Sequence, residues 1–326
     1  MERLASIDLG SNTLRLLIAD HLASGVLRPI TKERRITRLG ENFLPSRRLQ
    51  PQAMARSIAA LKEFGDLMTQ RGVSSYLAGA TAVVREAGNG EEFLSMVRRE
   101  TSLQVRLLSG SEEARLSLLG VASAIRATDA PMAVFDIGGG SSELIWTPEA
   151  ARGPAECASL PVGVVHLTET FLKEDPPGRE ACARLGRQVH TMLDTVAFGD
   201  KLQRSMWVGT AGTVTTLAAM RLELRRYDPE RINGTVLEKP WLADLCQRLA
   251  VMPVARRRQL PGLERGREDI ILAGAVVTLE LMNTFRFTRC TASDGGLLEG
   301  LFLEVCGSLA PSLENSKGSI NKRTLL

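Results

Sequence analysis

The sequence predicts an α/β protein of two related halves that face each other across a cleft. Three observations carry that expectation. The chain has 326 residues, enough for two domains of ordinary size. Strand-like and helix-like segments alternate along it, as in layered α/β folds. And one strand–turn–strand unit occurs twice, with Asp136 lying 128 residues after Asp8.

In the first copy, residues 4–20, an apolar strand ends in Asp8-Leu-Gly10, turns on Ser11-Asn12-Thr13 and leaves as a second strand. In the second copy, residues 132–146, the same grammar reads Asp136-Ile-Gly138-Gly139-Gly140-Ser141-Ser-Glu143. Between the copies, Pro51–Gln70 has a proline at its start, apolar residues at Met54, Ile58, Leu61 and Met68, and Gly72 as a stop, which predicts a helix. Ser74–Ala80 and Leu103–Leu108 read as strands and Ser111–Ile125 as a helix. Beyond the second copy, helices are expected over Arg179–Val196, Asp269–Thr284 and Gly296–Val305, with a short strand at Met206–Gly209. The expected boundary lies near Ala127–Pro131. It gives domains 1–127 and 128–306, and the aperiodic stretch 307–326 reads as a disordered tail.

Composition narrows the function. Hydrophobic residues make up 44% and charged residues 24%, a soluble globular balance. The net charge of +4 is too small to argue for nucleic acid. Five cysteines without a CxxC spacing fit a reducing cytoplasm rather than a disulfide framework or a zinc site. Three scattered histidines do not build a metal centre. The start of the chain lacks the apolar run of a signal peptide, and the most apolar stretches, Met206–Met220 and Ile270–Met282, fall short of the ~20 residues that span a bilayer. A cytoplasmic protein without membrane or nucleic-acid partners is therefore expected.

The chemistry of the turns is more specific. Glycine lets a ligand approach the backbone, successive N–H groups form an anion-binding hollow, and Ser or Thr adds a hydroxyl donor. An aspartate just before the glycine can hold a metal or water beside such an anion. Gly209-Thr210-Ala-Gly212-Thr213, between a strand and a helix, offers a helix N-terminus to an anion. In Ser109-Gly-Ser-Glu112-Glu113-Ala-Arg115 the spacing assigns Ser109 and Glu112 to a capping box. Glu113 has no capping duty; locally it is either a reactive carboxylate or a first-turn glutamate stabilised by the helix dipole.

Together with Ser293-Asp-Gly-Gly296, these motifs resemble, in order and over residues 3–303, the exopolyphosphatase / guanosine pentaphosphate phosphatase family in its short two-domain form. The resemblance implies two actin-like, ribonuclease H-like ATPase-type domains and metal-assisted hydrolysis of a terminal phosphoanhydride. It makes Glu113 the base that activates water, Glu143 a second essential carboxylate, and Arg85 a cation that stabilises the transferring group. Asp136 and Glu143 would hold Mg2+; a monovalent cation is left open. The phosphate grip would come from Ser11, Asn12, Thr13, Thr81, Gly138, Gly139, Gly140, Ser141, Gly209, Thr210, Gly212 and Thr213. Basic residues in the expected loop after the first hairpin, Lys32, Arg34, Arg35, Arg38, Arg47 and Arg48, are candidates to line a path for a long polyanion, Lys32, Arg35 and Arg38 first among them.

The expected substrate is inorganic polyphosphate, with guanosine pentaphosphate as the alternative and an actin-like small-molecule kinase as the rival from another class. The kinase reading leaves Ser109–Arg115 unexplained. A homodimer is left open. One departure stands out: Leu298 occupies a place where the family usually has arginine.

Overall fold

A computed structural model describes residues 2–21, 27–43, 46–125, 130–148 and 155–314. The first half runs β1 (Glu2–Leu9), β2 (Thr13–His21), β3 (Leu27–Ile36), α1 (Pro51–Gln70), β4 (Ser75–Ala80), α2 (Ala82–Glu86), α3 (Gly90–Thr101), β5 (Val105–Leu107) and α4 (Gly110–Ala124). The second begins with β6 (Met132–Ile137), β7 (Ser142–Thr147), β8 (Glu156–Leu160), α5 (Val164–Phe171), α6 (Gly178–Leu193), α7 (Gly199–Leu202), β9 (Met206–Thr210) and α8 (Ala211–Arg221). It continues through α9 (Pro229–Ile232), β10 (Val236–Glu238), α10 (Lys239–Ala250), α11 (Val254–Arg257), α12 (Ile271–Thr284), β11 (Arg289–Ala292) and α13 (Leu297–Glu314).

Each half is built on one mixed sheet, ordered β3-β2-β1-β4-β5 in the first and β10-β11-β9-β6-β7-β8 in the second. In each sheet an antiparallel hairpin, β1–β2 or β6–β7, is followed by a parallel strand, β4 beside β1 and β9 beside β6. The two halves thus repeat the expected unit, and the architecture is the actin-like one.

Helices α1 and α3 cover the outer face of the first sheet around Phe64 and Phe93. The outer core of the second sheet gathers α5, α6, α8, α10 and α12. Between the sheets lie α4 and α13, and they exchange sides. Ala114, Leu118 and Val121 of α4 pack on Met132, Val134, Ile145 and Val208 of the second sheet. Leu298, Phe302 and Val305 of α13 pack on Leu4, Leu17 and Ala19 of the first. Where the two helices cross, backbone meets backbone: a Cβ at Gly300 would lie 1.9 Å from the Leu116 carbonyl oxygen, and one at Gly120 would lie 1.9 Å from that of Gly296.

Packing therefore assigns α13 to the first sheet although its sequence follows the second copy. This helix runs on to Glu314, into the stretch expected as a tail; residues 315–326 and the boundary residues 126–129 lie outside the described residues.

One local expectation needs correction. Lys32, Arg34 and Arg35 are not in a loop: they lie on β3, the edge strand, paired antiparallel to β2. Charge is tolerated there because an edge strand has an uncovered flank, and the basic run hid the alternation. Leu298, at the place where arginine is usual, is fully buried in the α13 cluster, and its carbonyl accepts from Ser6 Oγ at 2.7 Å. Among the described residues no helix is long and apolar enough to cross a membrane.

Candidate active site

The two glycine turns are closed by the same bond. Gly10 N donates to the Thr13 carbonyl at 3.1 Å, and Gly138 N to the Ser141 carbonyl at 2.9 Å. They also meet across the cleft. A Cβ at Gly139 would lie 2.9 Å from Ser11 Cβ, and one at Gly140 would lie 2.9 Å from Ser11 Oγ. Side chains at either position would hold the turns apart, so glycine is required there by close approach.

The turns, with the start of α8, enclose a cavity of about 70 Å³. That is room for a few waters or a phosphate group. Of the expected residues, Ser11, Asn12, Thr13, Thr81, Glu113, Asp136, Gly138, Gly139, Gly140, Ser141, Glu143, Gly212 and Thr213 line this cavity. They come from sequence positions spread over both halves.

Three carboxylates converge. Glu113, on the first turn of α4, is only 7% exposed, and its Oε2 accepts from Arg85 Nη1 at 3.2 Å. The same Arg85 nitrogen donates to the Leu108 carbonyl at 2.7 Å, so Arg85 stands behind Glu113 rather than on the cavity wall. Glu143, 3% exposed on β7, accepts from Ser141 Oγ at 2.7 Å and Ser159 Oγ at 2.9 Å, both at Oε1. Its Oε2 makes no hydrogen bond among the described residues, and Glu143 lines the cavity. Asp136, next to last on β6, stands directly opposite Glu143 in the strand register.

Burial, then the charges of Glu143 and Asp136, push the Glu113 carboxyl well above the usual carboxylate range, against the pull of Arg85. Burial and Glu143 push Asp136 up to about 7, with Arg15 opposing. Glu143 is raised by burial while its serine hydrogen bonds hold it down.

The neighbouring glutamates separate as the capping arithmetic requires. Glu112 N donates to Ser109 Oγ at 3.2 Å, and Ser109 N donates to Glu112 Oε2 at 2.9 Å, so Glu112 closes the capping box on the exposed side.

Several expected phosphate ligands are committed to the fold. Thr81 Oγ1 donates to the Leu9 carbonyl at 3.1 Å, Thr213 Oγ1 to that of Ile137 at 2.9 Å, and Thr210 Oγ1 to that of Gly295 at 2.6 Å. Neither Gly209 nor Thr210 reaches the cavity wall. A Cβ at Gly209 would lie 2.6 Å from the Phe135 ring, so this glycine is needed for packing. Ala211, the first residue of α8, has φ +62°, a left-handed conformation costly for a residue with a Cβ. It turns the start of α8 toward the cavity. Asn12 Oδ1 is buried with no partner among the described residues, a polar atom left for a ligand or water.

The residues named for a polyanion path are engaged elsewhere. Lys32 forms ion pairs with Asp294 and, at 2.8 Å, with Glu299. Arg35 is bonded to Glu33 and Glu63, both at 2.9 Å, and Arg38 reaches Asp269 at 2.7 Å. None of the three lines the cavity.

The cations that do line it are Arg15 and Arg267, neither of which the sequence marks as a site residue; they stand with Asp8, the aspartate of the first turn. Arg15 lies on β2, two residues past the turn, and 3.5 Å from Asp8. Strand alternation from Thr13 could have found it. Burial opposes its charge, but Asp8, Asp136, Glu299 and Asp294 outweigh burial and raise its pKa. Arg267 comes from the segment before α12 and donates to Thr13 Oγ1 at 3.1 Å, across 254 residues of sequence. No local motif marks it.

Carboxylates and guanidinium groups around one cavity suit a phosphate chain. A terminal phosphorus can sit against the acids that handle water and metal, with its anionic oxygens held by glycine N–H groups and arginines.

The chain resembles known proteins over nearly its whole length. Residues 17–309 match the model of the Ppx/GppA phosphatase family. Exopolyphosphatase 2 of Mycobacterium tuberculosis is 32% identical over 320 residues, covering 94% of this chain and 99% of that protein. Exopolyphosphatase 1 of Mycobacterium leprae is 30% identical over 310 residues, covering 94% and 91%. Among solved structures, the Aquifex aeolicus PPX-GPPA enzyme superposes with a TM-score of 0.76 at 34% identity, covering 93% of this chain and 99% of that one.

Proposed function

The chain belongs to the Ppx/GppA phosphatase family, and from that premise we propose that it is an exopolyphosphatase, releasing orthophosphate from the end of inorganic polyphosphate. The observation that carries the reading is the meeting of Glu113, Asp136 and Glu143 with both glycine turns around one cavity.

In this reading Glu113 is the general base. Its unshared carboxylate oxygen takes a proton from water as the water oxygen attacks the terminal phosphorus. A raised pKa makes a carboxylate a stronger base, which suits it to that task. The bond from phosphorus to the bridging oxygen breaks, and the electron pair leaves with the shortened chain. Arg85 keeps Glu113 oriented. The N–H groups of the turns and of the start of α8, with Arg15 and Arg267, hold the phosphate oxygens.

Among the described residues no three His, Cys, Asp or Glu side chains stand close enough to cage a metal by themselves. Asp136 and the free Oε2 of Glu143 nevertheless fit magnesium, which takes one or two carboxylates and fills its remaining positions with phosphate oxygens and water. Such an ion supplies charge neutralisation and orientation of the phosphate oxygens.

The test is orthophosphate release with magnesium from polyphosphate, guanosine pentaphosphate and ATP, side by side. Polyphosphate is expected to give the highest kcat/KM. Preferred cleavage of guanosine pentaphosphate would transfer the reading to the nucleotide, and ATP-dependent transfer to an acceptor without net hydrolysis would sink both.

A further inference from the structure

Arg267 is the most buried charged side chain on the cavity wall outside the carboxylate group, at 5% exposure. A lone guanidinium in such a place is costly, and a flexible one would spend its charge in many orientations. Neither happens here. Arg267 Nε donates to Glu264 Oε2 at 2.7 Å, and its Nη2 donates to Thr13 Oγ1. The guanidinium lies flat against the start of α8, since a Cβ at Gly212 would come within 2.2 Å of Nη2. Nη1 makes no hydrogen bond among the described residues, which leaves the outer edge of the fork for phosphate oxygens.

The carboxylate that pins Arg267 is itself pinned from the other half. Arg34 Nη2, on edge strand β3, meets Glu264 Oε1 at 2.7 Å, and the Arg34 guanidinium stacks on the Tyr227 ring at 4.8 Å. The order is Arg34, Glu264, Arg267, Thr13. First and last belong to the first half of the chain, and the middle pair to the second. Separation of the halves would draw Arg34 from Glu264 and Thr13 from Arg267 in the same motion.

We propose that Glu264 is the positioning residue of this site: bridged by Arg34 across the cleft, it aims the Arg267 fork at bound phosphate when the halves are closed. The inference rests on the reading of the cavity as a polyphosphate site. Glu264 itself need not touch substrate. Its two oxygens are spent on the two arginines, and its effect passes through Arg267.

The experiment uses the full chain with Glu264→Ala, Glu264→Gln and Arg34→Gln. Orthophosphate release from polyphosphate with magnesium gives kcat and KM. Calorimetry with inorganic tripolyphosphate in EDTA gives affinity without turnover, and thermal melting reports folding. Loss of an oriented charge-assisted bond predicts about a tenfold rise in both KM and Kd for Glu264→Ala, with kcat within about threefold of wild type. Glu264→Gln keeps an acceptor for Arg267 Nε–H and should recover part of that loss. Arg34→Gln should raise KM about threefold alone and add nothing in the Glu264→Ala background, since both act through one chain of contacts.

Melting lowered in Glu264→Ala with KM and Kd unchanged would reduce Glu264 to a structural residue and overturn the proposal. So would independent, additive effects of the two sites. If Glu264→Ala fails to fold, Glu264→Gln and Arg34→Gln carry the same comparison. Tripolyphosphate binding by a wild-type protein that does not hydrolyse polyphosphate would remove the exopolyphosphatase reading while the calorimetric arm still decides this one.

Discussion

Replacing Glu113 with glutamine should abolish hydrolysis without harming the fold. Loss of a general base costs about 10²–10⁴ in rate, or about 3–5 kcal/mol in barrier. The structure places this case at the upper end, about 10³–10⁴. Among the described residues the other carboxylates at the site are engaged or placed elsewhere: Glu112 is tied into the cap of α4, Asp8 is paired with Arg15 at 3.5 Å, and Glu143 and Asp136 stand on β7 and β6.

The amide is nearly the same size as the carboxyl, and Arg85 keeps its bond to the Leu108 carbonyl. Stability should move the other way. The charged form of Glu113 is disfavoured by burial and by Glu143 and Asp136. Above its raised folded pKa the native state bears that cost and the unfolded chain does not. The loss of the partly exposed Arg85 pair offsets little of it. At pH 8 the variant should therefore melt at or above the wild type. Phosphate release from polyphosphate with magnesium, paired with melting curves, reads both quantities. Residual activity within tenfold of wild type would remove Glu113 from the role of base. Loss of activity together with a large drop in melting temperature would show that the carboxylate holds the fold rather than the water.

Three further outcomes follow from the same contacts. Glu112→Gln should leave kcat within about twofold and cost under about 1 kcal/mol, because a glutamine still reaches the N-cap N–H; inactivation by this change would reverse the assignment of the two glutamates. Gly300→Ala should destabilise by about 1–3 kcal/mol or more, since the new methyl meets the Leu116 backbone and the α4–α13 crossing must open, and denaturant melts at wild-type stability would refute that packing. In EDTA, melting temperature should fall as pH rises from about 5 to about 7.5: Asp136 keeps in the folded state, up to about 7, a proton that the unfolded chain has already released, and Glu113 and Glu143 are raised in the same direction. Magnesium should lift the melting temperature most at the alkaline end, Asp136→Asn should flatten the slope, and a metal-free profile that rises over this window would contradict the electrostatics.

What the sequence determined by itself is what neighbouring residues settle between themselves. The Asp8–Thr13 and Asp136–Glu143 turns were legible because a glycine bend and its closing hydrogen bond need only a few consecutive residues. Glu112 and Glu113 were separable because a cap has fixed spacing, and α1 was read to its observed ends, Pro51 and Gln70, from its proline and its apolar stripe.

The tertiary structure alone decided the rest. Arg267 joins the site by a bond across 254 residues, with no local signature. Thr81, Thr210 and Thr213 looked like phosphate ligands, yet each hydroxyl already serves a backbone carbonyl, because buried backbone acceptors must be met before any ligand arrives. The cations on and just after β3 looked free in a one-dimensional charge count, but folding lays opposite charges of the other half against Lys32, Arg34 and Arg38. The burial of Leu298 and the exchange of α4 and α13 between sheets belong to the same class: which faces meet depends on how two sheets and their helices pack, and that is a property of the whole chain.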